Sequence, residues 1–177
     1  MKLILFFLIL STNIFFAQQQ VTSKKNAIEL ATGYANLGSK YNGVHLTASY
    51  NHMINKFLET NTKLHFAQGN SKLIAPFQSI TLDVGATGVL SILSKSMIKV
   101  GIELGVSQLD YGFVVPNTTY FVQHIRYDFI FTYGGSAAYL FKLNTTSQLG
   151  LQYTFLKNSS PIRNLLQTAG ITYIKSF

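Results

Sequence analysis

The sequence predicts an all-β protein, an eight-stranded antiparallel up-and-down transmembrane β-barrel. Three observations predict this fold. Apolar and polar residues alternate with a period of two through eight segments of the chain. Only 11% of the residues are charged and 14% are aromatic, whereas about 25% are charged in an average globular protein. Beyond residue 17, no apolar run approaches the roughly 20 residues that a transmembrane helix needs.

The start of the chain has the pattern of a secretory signal peptide. A positive charge at Lys2 precedes an unbroken apolar run, and the small residue Ala17 suits a cleavage site. Because the protein has no cysteine, we expect neither disulfides nor a lipoprotein anchor. The predicted parts are a signal peptide (1–17), an N-terminal extension (18–26) and an outer-membrane β-barrel (27–177).

The predicted strands are the eight alternating segments. Long links follow the odd-numbered segments and short turns follow the even-numbered ones, which is typical of outer-membrane barrels with tight periplasmic turns. An even number of strands returns both chain ends to the periplasmic side. In chain order, the segments are residues 27–37, 43–53, 57–68, 77–90, 97–110, 125–142, 146–156 and 165–177.

One parity of these segments is apolar, and we expect it to face lipid. Aromatic residues near the segment ends fit the aromatic girdles of membrane proteins. Segment by segment, the predicted outward residues are Ile28, Leu30 and Tyr34; Val44, Leu46, Ala48 and Tyr50; Leu58, Leu64 and Phe66; Ile80, Leu82, Val84 and Ala86; Ile98, Val100, Ile102, Leu104 and Val106; Tyr127, Phe129, Phe131, Tyr133, Ala137, Tyr139 and Phe141; Leu149, Leu151, Tyr153 and Phe155; and Ile171, Tyr173 and Phe177.

The other parity carries the charges and most of the strand glycines, and we expect it to line the lumen. A charge on the lipid face costs about 2–4 kcal/mol at mid-membrane, so this segregation has a physical cause. The interior of an eight-stranded barrel is just wide enough for side chains. The narrow lumen favours a closed plug of ion pairs, with an ion-conducting path as the alternative. The predicted ionic network of the lumen consists of Glu29, Glu59, Lys63, Asp83, Lys99, Glu103, Arg126 and Asp128.

No set of residues predicts catalysis, metal binding or a cofactor. His45 and His65 have the lumen parity, whereas His52 lies near a turn and His124 near a loop, so the four histidines come from different depths. A lipid-modifying hydrolase would need a serine, a histidine and an acid held together, for which His124 and Asp128 are the nearest candidates. Their spacing does not select that chemistry, so we expect no enzyme.

Basic residues outside the strands are candidates for surface contacts. The formal net charge is +8, but there is no basic cluster interleaved with aromatics, so we expect no direct contact with nucleic acid. The outer-loop residues could contact lipopolysaccharide phosphates or a protein partner, with a merely solvated surface as the alternative. These basic residues are Lys40, Lys72, Lys157 and Arg163.

The C-terminus resembles the signal by which the barrel-assembly machinery recognises outer-membrane proteins. The last predicted strand contains Gly170 and Tyr173 and ends at the aromatic Phe177. Lys175 departs from this signal, because it lies where an apolar residue is usual.

Three stretches carry a resemblance to a known family. They are Ala-Ile-Glu-Leu at 27–30, Phe-Ile-Phe-Thr-Tyr-Gly-Gly-Ser-Ala at 129–137 and Gly-Ile-Thr-Tyr at 170–173. In this order the chain resembles the TraO proteins of conjugative transposons in Bacteroidetes. The resemblance implies an outer-membrane component of a DNA-transfer apparatus, with other conjugation proteins as partners and no catalytic residues. The alternatives are an unrelated small outer-membrane barrel, for envelope stability or adhesion, and an outer-membrane lipid hydrolase.

Overall fold

The computed structural model describes residues 25–38, 40–71, 76–114, 122–159 and 165–177, and these residues form a closed barrel of eight strands. Each strand pairs antiparallel with its neighbours in sequence, and the first pairs with the last, which confirms the predicted fold class. This part of the chain contains no helix long and apolar enough to cross a membrane. The strands are β1 (Asn26–Leu37), β2 (Tyr41–Asn55), β3 (Leu58–Ser71), β4 (Pro76–Leu93), β5 (Ser96–Val114), β6 (Val122–Lys142), β7 (Ser147–Asn158) and β8 (Leu165–Ser176).

Strands β5 and β6 are longer than the sequence predicts. Their pairing continues to Val114 and Val122, so half of the predicted loop 111–124 belongs to the two strands. On the other side, β6 pairs with β7 only as far as Thr132 and Asn158. The hairpin of β5 and β6 therefore projects past β7 at the loop end of the barrel.

The outer surface is an apolar belt, as the alternation predicts. Ile102 is 70% exposed and Leu151 is 65% exposed, although both are large aliphatic residues at mid-strand. Exposure of such side chains to water would be unfavourable in free energy. A continuous belt of them is therefore typical of the lipid-facing surface of a transmembrane barrel. The opposite parity is mostly buried in the interior.

A bulge in β6 reverses the predicted facing of the residues that precede it. Tyr127 pairs with Leu109 and Ile130 with Ser107, so two residues of β6 oppose a single residue of β5. Phe129, one of these two, has a positive φ of 57° and is 85% exposed. The parity of the strand therefore changes at this point.

The prediction was wrong for three residues because of this bulge. Arg126 and Asp128, which were expected in the lumen, have side chains that are 59% and 52% exposed. Tyr127, which was expected to face outward, is partly buried against the interior. An extra residue shifts the two-residue period by one, so inward and outward positions exchange.

The interior has apolar clusters at both ends, which the sequence analysis did not predict. At the turn end, a small cluster contains Met97 and Leu140. At the loop end, the rings of Tyr41 and Tyr111 meet edge to face with centroids 6.1 Å apart. We call these the turn-end cluster and the loop-end cluster. The loop-end cluster comprises Ala35, Leu37, Tyr41, Ala67, Phe77, Leu109, Tyr111, Leu156 and Leu166.

Glycine allows a close approach of β1 and β8, the strands that close the barrel. Gly33 and Gly170 are register partners in this pair. A Cβ atom on Gly33 would lie 2.2 Å from the carbonyl oxygen of Ala169 and 2.4 Å from the Cα of Gly170. No larger residue fits at this crossing without moving the backbone.

Candidate functional site: the ionic network of the lumen

The centre of the lumen holds an ion pair between β3 and β5. Lys63 forms a salt bridge with Glu103, and both side chains are at most 4% exposed. The Lys63 Nζ also donates to the hydroxyl of Ser136 at 3.0 Å, and that hydroxyl donates to Glu103. Charges buried in this way are stable only when paired and hydrogen-bonded, and this pair has both.

A second ion pair lies nearer the turn end of the lumen. The Nζ of Lys99 lies 2.7 and 2.8 Å from the two carboxylate oxygens of Glu59. The two side chains are 9% and 6% exposed. Like the first pair, this one joins β3 to β5 across the intervening β4.

The third buried carboxylate, Glu29, has neutral partners. Asn51 on β2 donates its side-chain N–H to one oxygen at 2.9 Å, and the Thr172 hydroxyl on β8 donates to the other at 3.0 Å. Glu29 therefore connects the first strand to both of its neighbours in the barrel.

The fourth buried carboxylate, Asp83, lies beside a histidine. The Nε2 of His65 is 3.0 Å from Asp83 Oδ2 and 3.9 Å from Glu103 Oε2. On the other side of the ring, Nδ1 is 2.9 Å from the hydroxyl of Thr47. His65, Asp83 and Glu103 come from three consecutive strands, and their ligand atoms all lie within 4.8 Å of one another.

This convergence was not predicted, because the depths of the four histidines were compared only with one another. Among the three histidines with described side chains, His45 and His65 both contact the hydroxyl of Thr47, whereas His52 is exposed. His65 also lies beside two carboxylates of the predicted network.

The turn at 94–95 alone gives a register that is one residue off, because a bulge lies between Ser91 and Leu93. The turn together with the shared lumen parity of Asp83 and Glu103 was a usable signal. In the observed register Glu103 is opposite Gly85 and Asp83 is opposite Gly105, so the two acids are close neighbours on the inner face.

The remaining two members of the predicted network pair with each other outside the lumen. Arg126 Nε donates to Asp128 Oδ1 at 3.0 Å, and both side chains are more than half exposed. The Asp128 carboxylate thus pairs with an arginine on the outer surface. The side chain of His124, the other hydrolase candidate, lies outside the described residues.

The structure describes only some of the predicted surface and C-terminal residues. Lys40 and Lys157 are exposed at the loop end, whereas Lys72, Arg163 and the expected signal peptide lie outside the described residues. Gly170 faces inward. Tyr173 and Phe177 are 39% and 53% exposed.

The turn end of the barrel opens into a cavity of about 620 Å³. Lysines from the N-terminal segment and from the three turns line it, namely Lys25, Lys56, Lys95 and Lys142. The Lys99–Glu59 pair forms part of its inner wall. Residues of the turn-end cluster line this cavity as well. Between the cavity and the loop-end cluster, the described side chains fill the lumen with the ion pairs. The arrangement suits bracing of the strands better than transport through them.

Comparison with known proteins agrees on the fold. No protein-family model and no curated protein matches the chain. Neisserial surface protein A is similar to it in structure, with a TM-score of 0.65, 11% identity and coverage of 90% of this chain and 100% of that one. Ail, the attachment invasion locus protein of Yersinia pestis, is similar with a TM-score of 0.51, 11% identity and coverage of 88% and 99%. Ail in complex with the heparin analogue sucrose octasulfate gives a TM-score of 0.50 at 12% identity and 88% coverage of this chain. These likenesses show that the chain has the fold of the small eight-stranded β-barrels.

Proposed function

We propose that this chain is a non-enzymatic barrel of the bacterial outer membrane, exported by its signal peptide, that serves as a structural component of a conjugative DNA-transfer apparatus. The observation that supports a structural, non-enzymatic role is the filled lumen. Buried ion pairs and two apolar clusters occupy the described interior, so the surfaces free to act are the two ends of the barrel. The resemblance to the TraO proteins supports the process.

Fractionation tests the location of the protein. We expect it in the outer-membrane fraction, and we expect it to run faster on gels when unheated than when boiled, because a closed barrel resists detergent. Recovery as a soluble periplasmic monomer would contradict the proposal. The partners expected there are outer-membrane lipid, lipopolysaccharide and the barrel-assembly machinery.

The projecting hairpin of β5 and β6 is the surface best placed for other conjugation proteins. We expect that replacing residues 113–123 with Asn-Gly, a two-residue hairpin turn, preserves the heat-modifiable barrel but abolishes DNA transfer between cells. Replacing residues 160–164 in the same way is the matched control and should leave transfer unchanged. Wild-type transfer from a strain lacking the whole protein would refute the role in conjugation.

Adhesion is the second candidate function. Lys40 and Lys157 are exposed at the loop end, where sulfated or phosphorylated sugars could reach them. Ail, which shares the fold, was solved with a heparin analogue. Binding of cells to immobilised heparin that is lost in the Lys40→Gln/Lys157→Gln double variant, with transfer unchanged, would favour adhesion over conjugation.

A further inference from the structure

The convergence of His65, Asp83 and Glu103 in the centre of the lumen has chemistry that neither strand bracing nor partner binding requires. We propose that these three side chains bind one divalent transition-metal ion of the zinc class, as a structural site inside the barrel. The proposal concerns the lumen alone and does not depend on the function proposed above.

The first support is a group of buried polar atoms that lack hydrogen bonds. No donor among the described residues hydrogen-bonds either carboxylate oxygen of Asp83, or Oε2 of Glu103. His65 Nε2 lies 3.0 Å from Asp83 Oδ2 but is not aligned to form a hydrogen bond with it. The three side chains are no more than 2% exposed. Buried polar groups are normally satisfied, and a metal ion bound by one atom of each side chain would satisfy three of these four atoms at once.

The second support is the charge of the interior. The buried charged side chains of the described residues are four carboxylates and two lysines, which leaves two negative charges when the histidines are neutral. An uncompensated buried charge costs several kcal/mol, so a low-dielectric interior with a net charge is unfavourable. A single divalent cation makes the interior neutral.

The third support is the geometry and its surroundings. Ligand atoms about 2.1 Å from a tetrahedral zinc lie about 3.4 Å apart, and the separations of 3.0 and 3.9 Å from His65 Nε2 to the two carboxylates bracket that value. All three ligand atoms lie within 4.8 Å of one another. Metal-bound histidines usually donate their other N–H to an acceptor, and Thr47 is in place to accept it from Nδ1. Lys63 and Ser136 contact only Oε1 of Glu103, which leaves Oε2 facing the histidine.

The donor set indicates the kind of metal. One imidazole and two carboxylates suit a first-row divalent ion such as zinc, with a water in the fourth position. Calcium and magnesium need six or more ligands, mostly oxygens, which three side chains in a filled lumen do not supply. The main alternative is a protonated His65 that forms an ion pair with Asp83 without any metal.

The test measures the metal content of the full-length barrel refolded in lipid vesicles with equimolar zinc and then washed with a chelator. We expect about one zinc per barrel in the wild type. Asp83→Asn keeps the shape of the side chain. It should retain no more than about one tenth of the zinc that the wild type retains. Glu29→Gln is the matched control, because it also neutralises a buried lumen carboxylate, and it should retain zinc fully.

A second variant and a measurement of visible absorption complete the test of the metal site. If Asp83→Asn fails to give the heat-modifiable band, His65→Gln takes its place in the same assay. Cobalt substituted into the wild type should show the visible absorption of a four-coordinate site. A wild-type barrel without metal would overturn the proposal and favour the protonated histidine. Equal zinc in the wild type and in Asp83→Asn would also overturn it, because the ion would then lie elsewhere.

Discussion

Replacing Lys99 with methionine should destabilise the folded barrel by about 3 kcal/mol. The substitution keeps most of the side-chain volume but leaves the carboxylate of Glu59 buried without its cation. Removal of one partner from a buried ion pair costs about 3–5 kcal/mol. The lower end applies here because Glu59 borders the turn-end cavity, from which water can reach it. A loss of 3 kcal/mol corresponds to a roughly 150-fold smaller folding equilibrium constant.

The control is the double variant Lys99→Met/Glu59→Met, which removes both charges. A buried ion pair can often be replaced by apolar residues at little cost, so we expect it to recover at least about 2 kcal/mol of the loss. Urea unfolding in lipid vesicles measures the free energies, followed by tyrosine fluorescence and circular dichroism because the chain has no tryptophan. A single variant within about 1 kcal/mol of wild type, or as stable as the double variant, would refute this reasoning.

Three further substitutions, two of them with a control variant, test the belt, the closing strands and the bulge by the same unfolding assay. Ile102→Lys places a charge in the middle of the lipid-facing belt and should cost about 2–4 kcal/mol, whereas Leu93→Lys next to a turn should cost less than about 1. Gly33→Ala should cost about 1–3 kcal/mol, since its Cβ would meet the backbone of β8, while Gly88→Ala, whose Cβ would be 3.6 Å from the nearest atom, should be nearly neutral. Phe129→Gly should raise stability by about 1 kcal/mol, because glycine accepts the positive φ and the lost side chain is exposed. A destabilised Phe129→Gly would mean that the exposed ring contributes more than the backbone strain costs.

The sequence predicted the barrel well because lipid makes the outer parity a strict physical requirement. Charged groups are costly on the lipid face, so alternation is retained outside the bulges and its period can be read directly. The inward placement of Glu29, Glu59 and Lys63 follows from the same rule. Strand ends were predicted less well, since pairing of β5 with β6 beyond the membrane does not depend on that alternation.

The bulge in β6 could not be predicted, because its residues give no local signal. A bulge with positive φ usually contains glycine, whereas here the residue is Phe129. The partners of His65 required another kind of information, the register across β3, β4 and β5. Parity decides which face a side chain occupies, but only the register decides which side chains on that face meet.

The hydrogen bonds of Glu29 have a consequence for the order in which the barrel assembles. Both lysine ion pairs of the lumen join β3 to β5, so they can form in an open sheet that contains only these strands and β4. Glu29 instead takes its second hydrogen bond from Thr172 on β8, which is present only after the first and last strands have met. Desolvation of this carboxylate is therefore coupled to closure. The sheet can satisfy its own ion pairs while still open, and the final step of folding is the one that satisfies Glu29.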